Sequence, residues 1–174
     1  MGKFVKKILL VCLSTAVFCA CGKQDFNIDN QNTRIESYLN GLDVEYTRTI
    51  EGAYKYTYHD AESSTRLVTG DSLYFYFSGY EFNSGPRSIY TTNILEDAVG
   101  GSLDETFLDF SPRKIKLGDG KVPAGVQLAL PGSGVGDSLW VFMASDLAYD
   151  DKQVGVINPG TPIAFKIVID KIIK

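Results

Sequence analysis

The alternation of apolar and polar positions is clearest at Ser72-Leu-Tyr-Phe-Tyr-Phe77, where Leu73, Phe75 and Phe77 fall on one face of a strand. The period-two pattern returns at Ser138 to Ala144, with Leu139, Val141 and Met143 opposite Trp140 and Phe142. Pro162 to Ile172 reads as a final strand, nearly all apolar around Lys166 and Asp170. Val44 to Thr49, Ala53 to His59 and Lys114 to Leu117 read as further strands. Helical spacing is scarce. Ile35, Tyr38 and Leu39 predict a short amphipathic helix over Thr33 to Leu39, and Val126, Ala129 and Leu130 predict another over Ala124 to Leu130. Asp60 to Ser64 and Asn83-Ser-Gly-Pro86 are turns. Residues 94–112 form a long insertion with a possible helical turn. It reads either as a lid or as a longer loop. Consecutive strands with few intervening helices predict an antiparallel, β-rich α+β domain, not a doubly wound parallel sheet.

The first 21 residues follow a different logic. Lys3, Lys6 and Lys7 precede an apolar run from Ile8 to Val17 that is too short to span a bilayer. Phe18-Cys-Ala-Cys21 then places a small residue before a cysteine. This resembles a bacterial lipoprotein signal, which implies cleavage after residue 20 and acylation of the Cys21 thiol. An ordinary secretory signal or short anchor is the other reading. Gly22 to Asn32 is polar and reads as a tether. The expected organisation is a leader over 1–20, a lipidated cysteine and tether over 21–32, a helix and strands over 33–65, and the main domain over 66–174. The lipid would fix the chain to the cell envelope. No aspartate directly follows Cys21, a start compatible with outer-membrane sorting to the periplasmic or surface face.

Charge and composition narrow the chemistry. Loss of residues 1–20 removes three lysines and no acid, taking the formal charge from -4 to about -7. That balance argues against a nucleic-acid partner. All three cysteines, Cys12, Cys19 and Cys21, lie in the leader region. With the single His59, this argues against a cysteine–histidine metal site or a histidine-based triad. Adjacent acids such as Glu96-Asp97 and Asp150-Asp151 lack the alternating ligands of a calcium loop. The glycine-rich stretch Leu117 to Asp137 is no phosphate cradle. Gly120-Lys121 is followed by Val122-Pro123, and Gly132, Gly134 and Gly136 precede a strand rather than a helix. Neither a nucleotide nor any other cofactor is expected.

Taken in order, Leu117-Gly118, Val122-Pro123, Gly125, a short helix, Val135-Gly136, a strand, Leu147-Ala-Tyr149, Ile157-x-Pro159 and Ile163-Ala-Phe165 form a familiar series. Upstream stand Gly70-Asp-Ser-Leu73 and Tyr76-Phe-Ser-Gly-Tyr80. Over about residues 66–173 the chain resembles FKBP-type peptidyl-prolyl cis-trans isomerases. The resemblance implies a five- or six-stranded antiparallel sheet wrapped around one short helix, with an apolar basin between them. It also implies proline-containing polypeptides as partners. Catalysis would rest on Tyr149, whose hydroxyl would meet the substrate carbonyl, and on Phe77 and Phe165 as aromatic walls. Tyr90, Val122, Val126, Val156 and Ile157 would complete the substrate site. On hydrophobic pattern alone, Phe77, Val126 and Phe165 fit a plain core equally well.

The chain departs from the family at three places. Thr91 stands where the family commonly has Asp, with Tyr90 aligned to the preceding Phe, and a one-residue shift restores no acid. Val126 stands where the basin floor is usually Trp. In a gapless alignment Pro123, which has no N–H, replaces a ligand-binding backbone donor; with Ala124 as an extra residue, Val122 would donate instead. These departures keep a second expectation open, a non-catalytic FKBP-fold binding module or chaperone subunit. A purely structural lipoprotein is a third.

Overall fold

In a computed structural model, the structure describes residues 26–174. The leader over 1–20 and the proposed lipidation site Cys21 lie outside the described residues.

The chain runs α1 (Ile28–Gly41), β1 (Thr47–Arg48), β2 (Tyr54–His59), β3 (Ser72–Phe82), β4 (Pro86–Thr92), α2 (Leu95–Gly100), β5 (Arg113–Lys116), α3 (Ala124–Ala129), β6 (Ser138–Met143) and β7 (Ile163–Ile173). Seven strands form one antiparallel sheet in the order β1-β2-β6-β7-β3-β4, with β5 also pairing β3. The α+β, FKBP-like architecture holds, with more strands than the resemblance implied. At one end of the sheet β1 pairs with β2, and β2 pairs with β6 from Tyr54↔Phe142 to His59↔Ser138. Residues before 66 therefore build part of the sheet rather than merely leading into it.

Both sheet faces are covered. On one, Leu73, Phe75, Phe77, Leu139, Val141, Phe165 and Ile167 pack with Val126, Ala129 and Leu130 of α3. On the other, Tyr54, Phe82, Phe142 and Ala164 pack with Ile35 and Leu39 of α1. The period-two alternation makes this possible: Phe142 turns to α1 while its neighbours Val141 and Met143 turn to α3. Gly125 lets α3 lie close to the sheet, since an added Cβ would sit 2.7 Å from Met143 Sδ.

Helix α1 starts at Ile28, inside the segment expected to be a tether. The reason is local. Asn27 caps it, its side-chain oxygen accepting from the Asn30 N–H at 2.9 Å. Gln31 is buried and joins the helix to the domain, donating to Gly160 O at 3.1 Å and accepting from the Ser145 N–H at 2.8 Å. Polar residues here serve burial, which composition alone reads as tether. Of the strand expected over Val44 to Thr49, only Thr47–Arg48 pairs.

Near the C-terminus, Lys174 Nζ lies 2.8 Å from Asp71 Oδ2, which also accepts from the Val68 N–H at 2.9 Å. The lysine bond first, then the backbone N–H, hold the Asp71 carboxyl below its ordinary pKa. A depressed folded-state pKa contributes stability above the unfolded value of about 3.9, and this is lost as pH falls through the folded value. Asp71→Asn should therefore flatten the acid limb of a stability-versus-pH curve, read by urea unfolding between pH 2 and 7.

Candidate functional site

A cavity of about 660 Å³ opens between the inner sheet face, the N-terminus of α3 and the loop after Tyr149. That volume lies within the usual range for ligand pockets. Its walls include Phe75, Phe77, Tyr90, Val122, Val126, Tyr149, Val156 and Phe165.

The aromatic walls are fixed by register. Phe75 and Phe77 share a face of β3, with ring centroids 5.6 Å apart, and Phe77 pairs across to β7 at Ile167. Phe165 stands beside Phe77 at 5.9 Å and meets Tyr90 edge-on at 6.3 Å. Tyr90 owes its position to a bulge. Gly79 pairs with Thr91 and Tyr80 with Ile89, so Tyr90 is the extra residue on β4. Gly79 is needed at this crossing, because a Cβ there would fall 2.9 Å from Tyr90 Cζ and 2.8 Å from Thr91 Cγ2. The aromatic-x-Gly step in the sequence therefore has a steric cause.

Tyr149 reaches the cavity from the loop after a 3-10 turn at Ser145–Leu147. Asp150 follows it in a left-handed conformation (φ 53°), its N–H bonded to Ser145 O at 2.7 Å and its carbonyl accepting from the Gly160 N–H at 2.8 Å. The Tyr90 and Tyr149 hydroxyls are 3.0 Å apart. Burial is the main cause raising both phenol pKa values. At Tyr90 the Tyr149 neighbour adds to the rise, whereas at Tyr149 the Tyr90 bond and the Arg113 charge partly offset it. Both hydroxyls stay protonated across the physiological range, so one can donate to the other and leave a proton for an external carbonyl.

The floor is α3. Pro123 caps the helix with its carbonyl, which accepts from Val126 and Gln127 N–H groups at 3.0 and 3.3 Å. Gln127 braces the glycine turn below the cavity, accepting from the Gly118 N–H at 2.8 Å and donating to Val122 O at 3.1 Å. The stretch after Leu117 thus leads under the basin into α3. Val126 is nearly fully buried, while Val156 stands exposed on the rim.

Seven of the eight anticipated residues line the cavity. The exception is Ile157, which is 2% exposed and packs in the core. Its N–H and carbonyl are both paired with Val154 at 3.0 Å, which turns the side chain inward. Several wall residues were not anticipated. Phe75 was legible from its shared face with Phe77. Arg113 sits opposite Phe75 in the β3–β5 register, a pairing no local pattern announces. Ala148 and Gln127 also line the cavity, and Thr91 stands in the wall as its family-aligned position implied. Among the described residues, no group of three or more His, Cys, Asp or Glu side chains could hold a metal ion.

The family model for FKBP-type peptidyl-prolyl cis-trans isomerase matches residues 89–170, from β4 into β7. No curated protein matches the chain. Among solved structures, the chain is similar to a peptidyl-prolyl cis-trans isomerase from Pseudomonas syringae pv. tomato, at 16% identity and a TM-score of 0.59. That match covers 86% of this chain and 98% of the other. The chain is also similar to FkpA from Escherichia coli, at 14% identity and a TM-score of 0.58, covering 84% of this chain and 61% of that one. The three FKBP domains of wheat FKBP73 match at 15% identity and a TM-score of 0.58, over 75% of this chain and half of the wheat chain.

Proposed function

We infer that this chain, which carries an FKBP-type peptidyl-prolyl isomerase domain, catalyses rotation about X-Pro bonds in its aromatic basin. The observation that carries the reading is the Tyr149 hydroxyl, held 3.0 Å from that of Tyr90 beside the Phe77 and Phe165 walls. The reaction breaks no covalent bond, so no titrating nucleophile is needed. Its barrier is lost amide resonance, about 18–20 kcal/mol. The uncatalysed step takes tens of seconds or more. The planar amide is more dipolar than the twisted one, so an apolar basin favours the twisted state. A positioned hydroxyl donor to the substrate carbonyl then adds stabilisation without reorganising. With Tyr90 donating to Tyr149, the Tyr149 proton is left for that carbonyl.

The leader pattern and Cys21 extend the proposal: the domain is a folding helper held by lipid to the cell envelope. Its clients are incoming chains with exposed proline and apolar side chains. Tethering raises its effective concentration near them.

Three residues favour a second reading, a binding module without useful turnover. Thr91 puts no carboxylate in the wall, Val126 gives a small floor, and Pro123 offers no N–H. A protease-coupled assay of an Ala-Leu-Pro-Phe peptide separates the two. Isomerisation rising with enzyme concentration is expected. A rate equal to background at high protein concentration, with binding of non-proline unfolded clients, would establish the module instead.

A further inference from the structure

The domain is acidic overall, yet its basin wall is basic. Arg113 and Lys121 are the charged side chains among the lining residues, and no acid stands with them. Arg113 is placed there by register, opposite Phe75 on β5, so that it shares the inner face. Its guanidinium lies 5.7 Å from the Phe77 ring centroid, and its Nη2 donates to Lys121 O at 2.7 Å. Ring and carbonyl together orient the fork while leaving donors unspent, since a guanidinium carries five N–H groups. Among the described residues Arg113 forms no ion pair. Lys121 is different, with Asp119 3.6 Å away. The Arg113 charge is also felt at the other end of the site, where it works against the burial-driven rise in the Tyr149 pKa.

We propose that Arg113 makes the basin selective for X-Pro segments bearing a carboxylate side chain next to the proline. The inference rests on the isomerase reading and names its substrate class. A proline seated between Phe77, Phe165 and Tyr149 brings its neighbouring residues to the wall that Arg113 occupies. A carboxylate there meets an oriented guanidinium suited to two parallel N–H···O bonds. An ammonium there meets a like charge. Part of the binding energy is spent on a group outside the rotating bond, which discriminates among clients without altering the chemistry.

The test uses the full chain and NMR exchange on Ala-Xaa-Pro-Phe peptides, with Xaa as Glu, Gln, Leu or Lys, and on Ala-Leu-Pro-Glu against Ala-Leu-Pro-Gln. Glu should exceed its Gln counterpart in kcat/KM by about threefold in at least one register, the size a solvent-accessible ion pair supports. The ratio should shrink towards one in 0.5 M salt as the charges are screened. Arg113→Glu should reverse the order, making the Lys peptide better than Gln. The salt series on the unaltered chain keeps the test decisive if that variant folds poorly. A Glu/Gln ratio of one in both registers overturns the inference while leaving the isomerase reading intact. A ratio that survives Arg113→Glu also overturns it. If no peptide is accelerated, the isomerase reading has failed, and chemical-shift titration decides the charge selectivity. Tighter binding of Glu than Gln peptides, lost in Arg113→Glu, would uphold it, and equal binding would overturn it.

Discussion

Phe165→Ala should lower kcat/KM for Ala-Leu-Pro-Phe isomerisation about a hundredfold, the equivalent of some 3 kcal/mol of lost apolar contact in the transition state. The ring is both wall and support. It packs on Phe77 at 5.9 Å, and Tyr90 stands on it edge-on at 6.3 Å. Losing it removes a face of the basin and frees the tyrosine that holds the Tyr149 hydroxyl. The truncation also costs about 3–5 kcal/mol of stability, because Phe165 is almost fully buried. The assay should therefore run cold, with folding checked by circular dichroism. Tyr149→Phe separates the two contributions. It removes one oxygen while keeping the ring, so about a tenfold loss, some 1.4 kcal/mol, is expected for the hydroxyl alone. An unchanged rate in both variants would move the chemistry out of this cavity.

Asn93→Ala should destabilise the domain by about 3 kcal/mol, a fall of roughly 10 °C in Tm. Asn93 is buried just beyond β4, and its side chain replaces a missing stretch of strand. Its Oδ1 accepts from the Phe77 N–H at 2.6 Å. Its Nδ2 donates to Phe75 O at 3.2 Å and to Ser111 O at 2.8 Å. Alanine leaves three backbone groups without these partners beneath two cavity walls and unpins the far end of the 94–112 insertion. Thermal melts should show the loss, and activity should fall with it. Asn93→Asp keeps the acceptor but removes both amide donors, so an equal or larger loss is expected. A melt within 2 °C of the unaltered chain would show that β3 does not depend on this residue.

What could be read from the chain followed the range of the forces involved. Strands β3 and β6 were legible from the alternation of apolar residues along them, β7 from its nearly unbroken apolar run, and α3 because Val126, Ala129 and Leu130 share one side. The start of α1 was not, because polar Asn27 and Gln31 do their work through a cap and two contacts distant in sequence. Strand β4 was missed as well. Only the cross-strand register shows Tyr90 as a bulge residue against Gly79. The cavity residues found in advance came from the spacing of Phe77, Tyr149 and Phe165 in a family-like series, which carries fold and site together. Arg113 and Asn93 escaped because each is defined by a partner in another strand, Phe75 for one and the Phe77 backbone for the other. Ile157 was placed one layer too far out, since its pairing with Val154 cannot be read from composition.

The most direct test of the account is two-dimensional NMR exchange on Ala-Leu-Pro-Phe with and without the full chain, with amide shifts of the protein followed in the same titration. Cis–trans cross-peaks absent from peptide alone are expected at millisecond-to-second mixing times, and shift changes should gather at Phe77, Tyr90, Val126, Tyr149 and Phe165. Exchange no faster than in free peptide, or shifts gathered on the α1 face of the sheet, would contradict it.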